Sequence, residues 1–148
     1  MGIQQMFLSG GVSEPGWSWY ISEGTAYGGT GDNMFDGDTN TYYGPGNTGN
    51  NVSKLNIDFD PPISGELKAR GAWGEANTTT TGMRVAHSGG STYQNVSTLG
   101  FTSGTWREKV IGTYTNITEV IVEYQHASGG GSGFYTSNWW LDSSELLL

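Results

Sequence analysis

Leu55, Ile57 and Phe59 alternate one for one with Lys54, Asn56 and Asp58. A period of two gathers its apolar residues on one face only if the backbone is extended. The same period returns along the chain. Residues 65–73 set Leu67, Ala69 and Gly71 against Glu66, Lys68 and Arg70. Residues 83–87 and 92–96 flank Ser88-Gly89-Gly90-Ser91, whose glycines suit a hairpin turn. Residues 17–21, 106–111, 118–124, 134–141 and 145–148 read as further strands, with a flexible hairpin tip at 128–133. Val120, Val122 and Tyr124 share one face and Ile121 the other, which predicts a strand covered on both sides. Asp60-Pro61-Pro62 is expected to end the strand before it, because proline donates no ladder hydrogen bond. Residues 24–50, rich in Gly and Asn, predict a long ordered loop, and no segment predicts a helix.

About eight to ten short strands with turn signals between them predict an all-β fold, a jelly-roll β-sandwich. The chain of 148 residues fits one such core and is too short for two ordinary ones. Residues 13–148 are therefore expected to form a single domain behind an N-terminal arm, residues 1–12. Without cysteine, neither a disulfide nor a thiolate site can be invoked. The formal charge of -8 repels a phosphate backbone, so nucleic acid is not an expected partner. Nothing approaches membrane-spanning length and the opening residues lack a basic leader, so folding in the cytoplasm is expected, with no membrane partner.

The densest polar signal is Asn33-Met34-Phe35-Asp36-Gly37-Asp38-Thr39-Asn40-Thr41-Tyr42-Tyr43. Oxygens of Asp36, Asp38, Asn40 and Thr41 can converge on one hard cation, with Gly37 allowing a sharp turn between them. An Asx-turn that fixes the loop without metal is the competing reading. Phe35-Asp36-Gly37-Asp38 with Thr41 and the aromatic Tyr43 resembles the FDGD-x-x-T-x-W segment of discoidin-like domains, and Glu145 in Ser143-Ser144-Glu145-Leu146 resembles their closing strand. The resemblance implies a galactose-binding-like jelly roll. It also implies a structural calcium held by Asp36, Asp38, Thr41 and Glu145. Tyr43 stands where the family usually has Trp.

A second resemblance covers the first dozen residues. Met1-Gly2-Ile3-Gln4-Gln5-Met6-Phe7-Leu8 before a Gly-rich turn looks like the opening of small virion proteins of tailed phages, cyanophages especially. It implies that Ile3, Met6, Phe7 and Leu8 dock the chain onto a capsid or tail protein of the virion, for attachment and homo-oligomeric assembly. Capsid decoration ranks above tail or fibre work, because the chain has no fibre-like repeat.

No nucleophile motif accompanies His87 or His126, which are expected at solvent-exposed strand ends, so an enzyme is not expected. The aromatics exceed what a small core readily absorbs. Trp73, Tyr93 and Trp139 are candidates to stack on a sugar, with a host surface glycan as ligand. Trp139 and Trp140 are expected on opposite faces of one strand. The alternative function is a free carbohydrate-binding module stabilised by calcium.

Overall fold

The structure, a computed structural model, describes residues 16–47, 51–126 and 132–147. The expected arm residues Ile3, Met6, Phe7 and Leu8 lie outside the described residues.

The fold is all-β. Its strands are β1 (Gly16–Glu23), β2 (Thr25–Gly28), β3 (Tyr43–Asn47), β4 (Val52–Trp73), β5 (Gly82–His87), β6 (Gly90–Asn95), β7 (Arg107–Gln125), β8 (Ser132–Leu141) and β9 (Ser144–Glu145). They join in one antiparallel sheet of order β2-β3-β8-β4-β7-β5-β6, with β1 added to β4 and β9 to β8.

Two long strands turn this sheet into a sandwich. The first half of β4 pairs with β1 and with residues 119–125 of β7, whereas its second half pairs with β8 and with residues 107–114 of β7. In sheet order β8 separates β3 from β4, yet Ser53 Oγ on β4 donates to Gly46 O on β3 at 3.1 Å. Trp19 of β1 likewise meets Tyr43 of β3 edge-on, ring centroids 5.3 Å apart. Both contacts require the sheet to fold back over itself. The layers are β1-β4-β7-β5-β6 and β2-β3-β8-β4-β7.

The alternating residues fill the space between them. Leu55, Ile57, Leu67, Val120, Val122, Tyr124, Phe134 and Trp139 are all fully buried, and each large apolar side chain so placed contributes about 1.5–3 kcal/mol of transfer free energy.

Several expectations are corrected. The prolines do not end β4: the strand runs through Pro61 and Pro62, and its register with β7 slips between Asp58 and Ile63. Proline is tolerated there because no ladder bond to β7 is required of those residues. Residues 24–47 are not one loop but β2, a 3-10 turn over Gly31–Met34, and β3. Gly31 admits Trp19 above it, since a Cβ would lie 2.0 Å from the indole. A single helical turn, α1 (Val96–Leu99), stands where the sequence predicts no helix. Asn95 caps it, its side chain accepting from Thr98 N at 2.8 Å, and left-handed Gly100 ends it. The last strand is only Ser144–Glu145, and Leu148 lies outside the described residues. His126 is not at the solvent boundary: it is 2% exposed, packed beside Tyr124.

Candidate functional site: an aromatic cleft beside an acidic loop

The pairing of Tyr43 with Thr136 and the inward packing of Tyr43 turn the preceding residue, Tyr42, outward. Tyr135, paired with Ala72 on β4, projects from the same outer face. Tyr42 comes within 5.2 Å of the Tyr135 ring and 5.6 Å of the Trp106 ring, both in tilted contact. With Ala72, Trp73, Gly74 and Gly104 these rings line a cleft of about 210 Å³. That is room for one sugar ring, not for a drug-sized ligand. Tyr42 remains 38% exposed. Trp73 pairs with the inward Phe134 and packs against the core, its Nε1 donating to Phe101 O at 3.1 Å. Burial raises the Tyr135 phenol above its ordinary value, so it stays neutral and able to donate.

Arg70 stands at the rim, its guanidinium 4.9 Å from the centre of the Trp106 ring. Nη1 donates to Thr39 O and to Ser137 Oγ, each at 3.2 Å. Ser137 is available because β8 carries an extra residue here: Arg70 pairs with Asn138 and Gly71 with Thr136, leaving Ser137 between. Such a bulge re-aims the side chains around it.

Through Thr39 the cleft adjoins the acidic loop, whose local geometry is that of nested Asx-turns. Asp36 Oδ1 accepts from Asp38 N, and Asp38 Oδ1 from Asn40 N and Nδ2, all at 2.8 Å. Gly37 makes the turn possible at φ +76°. Thr41 Oγ1 lies 2.7 Å from Asp36 Oδ2, 3.0 Å from Asp38 O and 3.4 Å from Asn33 O. A hydroxyl has one hydrogen for these three acceptors. The loop is therefore richer in oxygens than its own donors satisfy, a donor set suited to a hard cation. Asn40 meets this loop through its nitrogens, N and Nδ2 both donating to Asp38 Oδ1.

Glu145 is engaged elsewhere, its Oε1 accepting from Asn138 Nδ2 at 2.6 Å. Among the described residues no group of three His, Asp or Glu side chains is placed to hold a metal, so Asp36, Asp38 and Glu145 do not form a three-carboxylate site. Asn138 itself is 1% exposed and its Oδ1 has no hydrogen-bond partner among the described residues. A buried acceptor left over beside Glu145 is the kind of group a cation or water satisfies. Asp36 Oδ2, the Asp38 and Asn33 carbonyls and Thr41 Oγ1 are the oxygens that lie together here, and Glu145 is not among them.

No family model and no curated protein matches this chain.

The three expected sugar-stacking residues go to three places. Trp73 lines the cleft. Tyr93 lies on the other layer, in a groove of about 420 Å³ with Arg84, Glu123 and Lys54. Arg84 covers its ring at 5.1 Å, and burial lifts its phenol to about 12. Trp139 is fully buried, its Nε1 donating to Thr136 Oγ1 at 3.2 Å. A ring without an exposed face cannot stack on a ligand, so Trp139 belongs to the core. Its neighbour Trp140 takes the outer face, with Lys68 Nζ 4.4 Å from the ring centre. Sequence reasoning does not single out Tyr42, Trp106, Tyr135 and Arg70 as ligand residues. The available signal is alternation beside an inward residue: Tyr42 before Tyr43, Tyr135 after Phe134.

His87 accepts from Gly89 N at Nδ1 and shares a 3.0 Å hydrogen bond with Thr92 Oγ1 at Nε2. His126 Nε2 lies 3.4 Å from Glu75 Oε2.

Proposed function

We propose that this chain is a non-catalytic attachment module, an accessory protein of a tailed-phage virion. In this reading Ile3, Met6, Phe7 and Leu8 dock it to a capsid or tail protein, homo-oligomers form on the particle, and a galactose-binding-like jelly roll faces outward. Decoration of the capsid ranks first and association with the tail second. The observation that carries the adhesive role is the cleft where the rings of Tyr42, Trp106 and Tyr135 meet on the outer sheet face, with Trp73 at its edge. Aromatic rings of this kind stack on the apolar faces of sugars while nearby polar groups fix hydroxyls. The placement on a virion rests on the resemblance of the opening residues.

Antibody labelling of particles, imaged by negative stain, tests that placement. Label on capsid or tail supports it, and particles without label overturn it. Deleting residues 1–12 is expected to abolish association with particles, and undiminished association would refute the docking arm.

A second reading, a free carbohydrate-binding module stabilised by calcium, is favoured by the oxygen-rich loop and by the unpaired Asn138 Oδ1. A monomer that binds a neutral or acidic oligosaccharide and never joins particles would establish it over the first.

A further inference from the structure

We infer that the aromatic cleft selects acidic saccharides, with Arg70 receiving a sugar carboxylate at its rim. The inference deepens the adhesive reading given above and rests on it.

Charge is the first argument. Lys68, Arg70, Arg107 and Lys109 are four of the chain's six basic residues, in a protein of net charge -8. They fall in one paired stretch of β4 and β7, but paired residues share a sheet face: Lys68 and Arg70 lie on the outer face with Val110 and Glu108, whereas Lys109 and Arg107 lie on the opposite face with Ala69 and Gly71. Glu108 is taken by Lys68 at 3.4 Å. The other two basic residues of the chain, Lys54 and Arg84, are each paired with a glutamate on the opposite layer, Glu23 and Glu123. With Lys68 engaged by Glu108, Arg70 is the cation on the cleft's face that no carboxylate pairs with among the described residues.

The geometry of Arg70 is the second argument. Its hydrogen bonds to Thr39 O and Ser137 Oγ both leave from Nη1, and no carboxylate pairs with it among the described residues. Those bonds and the Trp106 ring hold the guanidinium plane in place. The Nε–Nη2 edge keeps its donors, and that edge is the fork a carboxylate accepts in bidentate fashion. Pre-ordering by Trp106 lowers the entropy lost when an anion arrives. A neutral sugar uses the rings alone, whereas a uronic acid uses the rings and the fork.

The test compares a short oligogalacturonate with a neutral oligogalactoside of equal length, titrated calorimetrically against the full chain. The acidic ligand is expected to bind at least about tenfold tighter, the usual worth of a charge-assisted hydrogen bond, and to weaken with added salt. Arg70→Gln removes that preference, Arg70→Lys restores the salt dependence but not the full preference, and Trp106→Ala weakens both ligands. Arg107→Gln serves as a charge control and is expected to change the preference by less than Arg70→Gln. Thermal melts of Arg70→Gln show whether the Thr39 contact has been lost at the expense of the fold. If a melt reveals unfolding, Arg70→Lys decides, and a Lys variant indistinguishable from wild type in preference overturns the fork. Equal affinity for both ligands overturns this inference and leaves the adhesive reading intact. Binding of neither overturns the adhesive reading itself. Equal affinity for a single-stranded oligonucleotide would reassign the surface to generic anions and overturn selection for a saccharide.

Discussion

Thr41→Val separates the two roles of the acidic loop, because valine keeps the shape of threonine and removes only the hydroxyl. Without metal, that hydroxyl donates to Asp36 Oδ2 at 2.7 Å. A hydrogen bond to a charged acceptor contributes about 1.5–3 kcal/mol, and the exposure of this loop puts the loss at the low end. For a chain of 148 residues, about 1.5 kcal/mol corresponds to a fall in Tm of roughly 5 °C. With metal, Thr41 Oγ1 becomes a ligand together with Asp36 and the Asp38 and Asn33 carbonyls. Calcium at a hundred times its dissociation constant would then raise wild-type stability by about 2.7 kcal/mol, or roughly 8 °C. The valine variant should lose most of that increment because one ligand of a small set is gone. Differential scanning calorimetry in chelator and in millimolar calcium reads both effects on the same two proteins. A wild-type Tm unmoved by calcium refutes the cation reading of the loop and leaves the Asx-turns as its whole explanation. Identical Tm values for the two proteins in chelator refute the assignment of the hydroxyl's hydrogen to Asp36.

Three further outcomes are expected. Asp58 lies opposite Glu119 in the β4–β7 ladder, and burial, with the neighbouring Glu119 charge and hydrogen bond, raises its carboxyl above the ordinary value. The folded state therefore holds that proton more tightly than the unfolded chain, so this pair costs stability as pH rises from the ordinary Asp value through the raised one. Asp58→Asn should flatten that loss in urea melts taken upward in pH from the ordinary Asp value of 3.8, and an unchanged slope would sink the assignment. Gly31→Ala drives a methyl to within 2.0 Å of the Trp19 ring and should cost about 1–3 kcal/mol in chemical denaturation, whereas an undiminished midpoint would show that Trp19 yields freely. Tyr42→Ala should weaken saccharide binding in titration calorimetry by about tenfold while shifting Tm little, given its 38% exposure; unchanged binding would remove the cleft from the adhesive surface.

The strands are legible in the sequence wherever one face alone is buried. Leu55, Ile57 and Phe59 announce their register because a slip by one residue would expose all three. Val120, Val122 and Tyr124 do the same, with Ile121 and Glu123 half-covered by the groove that Arg84 and Tyr93 help to line. The break at Pro61-Pro62 is visible, but its meaning is not. A proline pair can end a strand or let it cross between layers, and only the partners on either side decide. The turns of residues 24–47 are hidden because their order comes from distant groups, such as Ser53 reaching Gly46 and Trp19 resting on Gly31. The acidic loop is legible because Asx-turns are local, made by Asp36, Asp38 and Asn40 with their own backbone. The cleft is not, for its rings come from the residue before β3, from β8, from the end of β4 and from the segment before β7. Aromatic composition tells that stacking surfaces are in surplus; it cannot tell Trp139, which is swallowed, from Trp106, which is displayed.

The passage of β4 and β7 through both layers has a mechanical consequence. Val52 faces Gln125 at one end of their ladder and Gly71 faces Arg107 at the other, so a single zipper is stitched into both halves of the molecule. Closing it joins segments far apart in the chain, which makes folding slow among domains of this size. Once closed, neither layer can peel away alone. A load that enters at Arg70 or Ala72 is passed along β4 into the opposite layer, so the grip of the cleft is backed by the whole sandwich and a single cooperative rupture is the expected response to pulling.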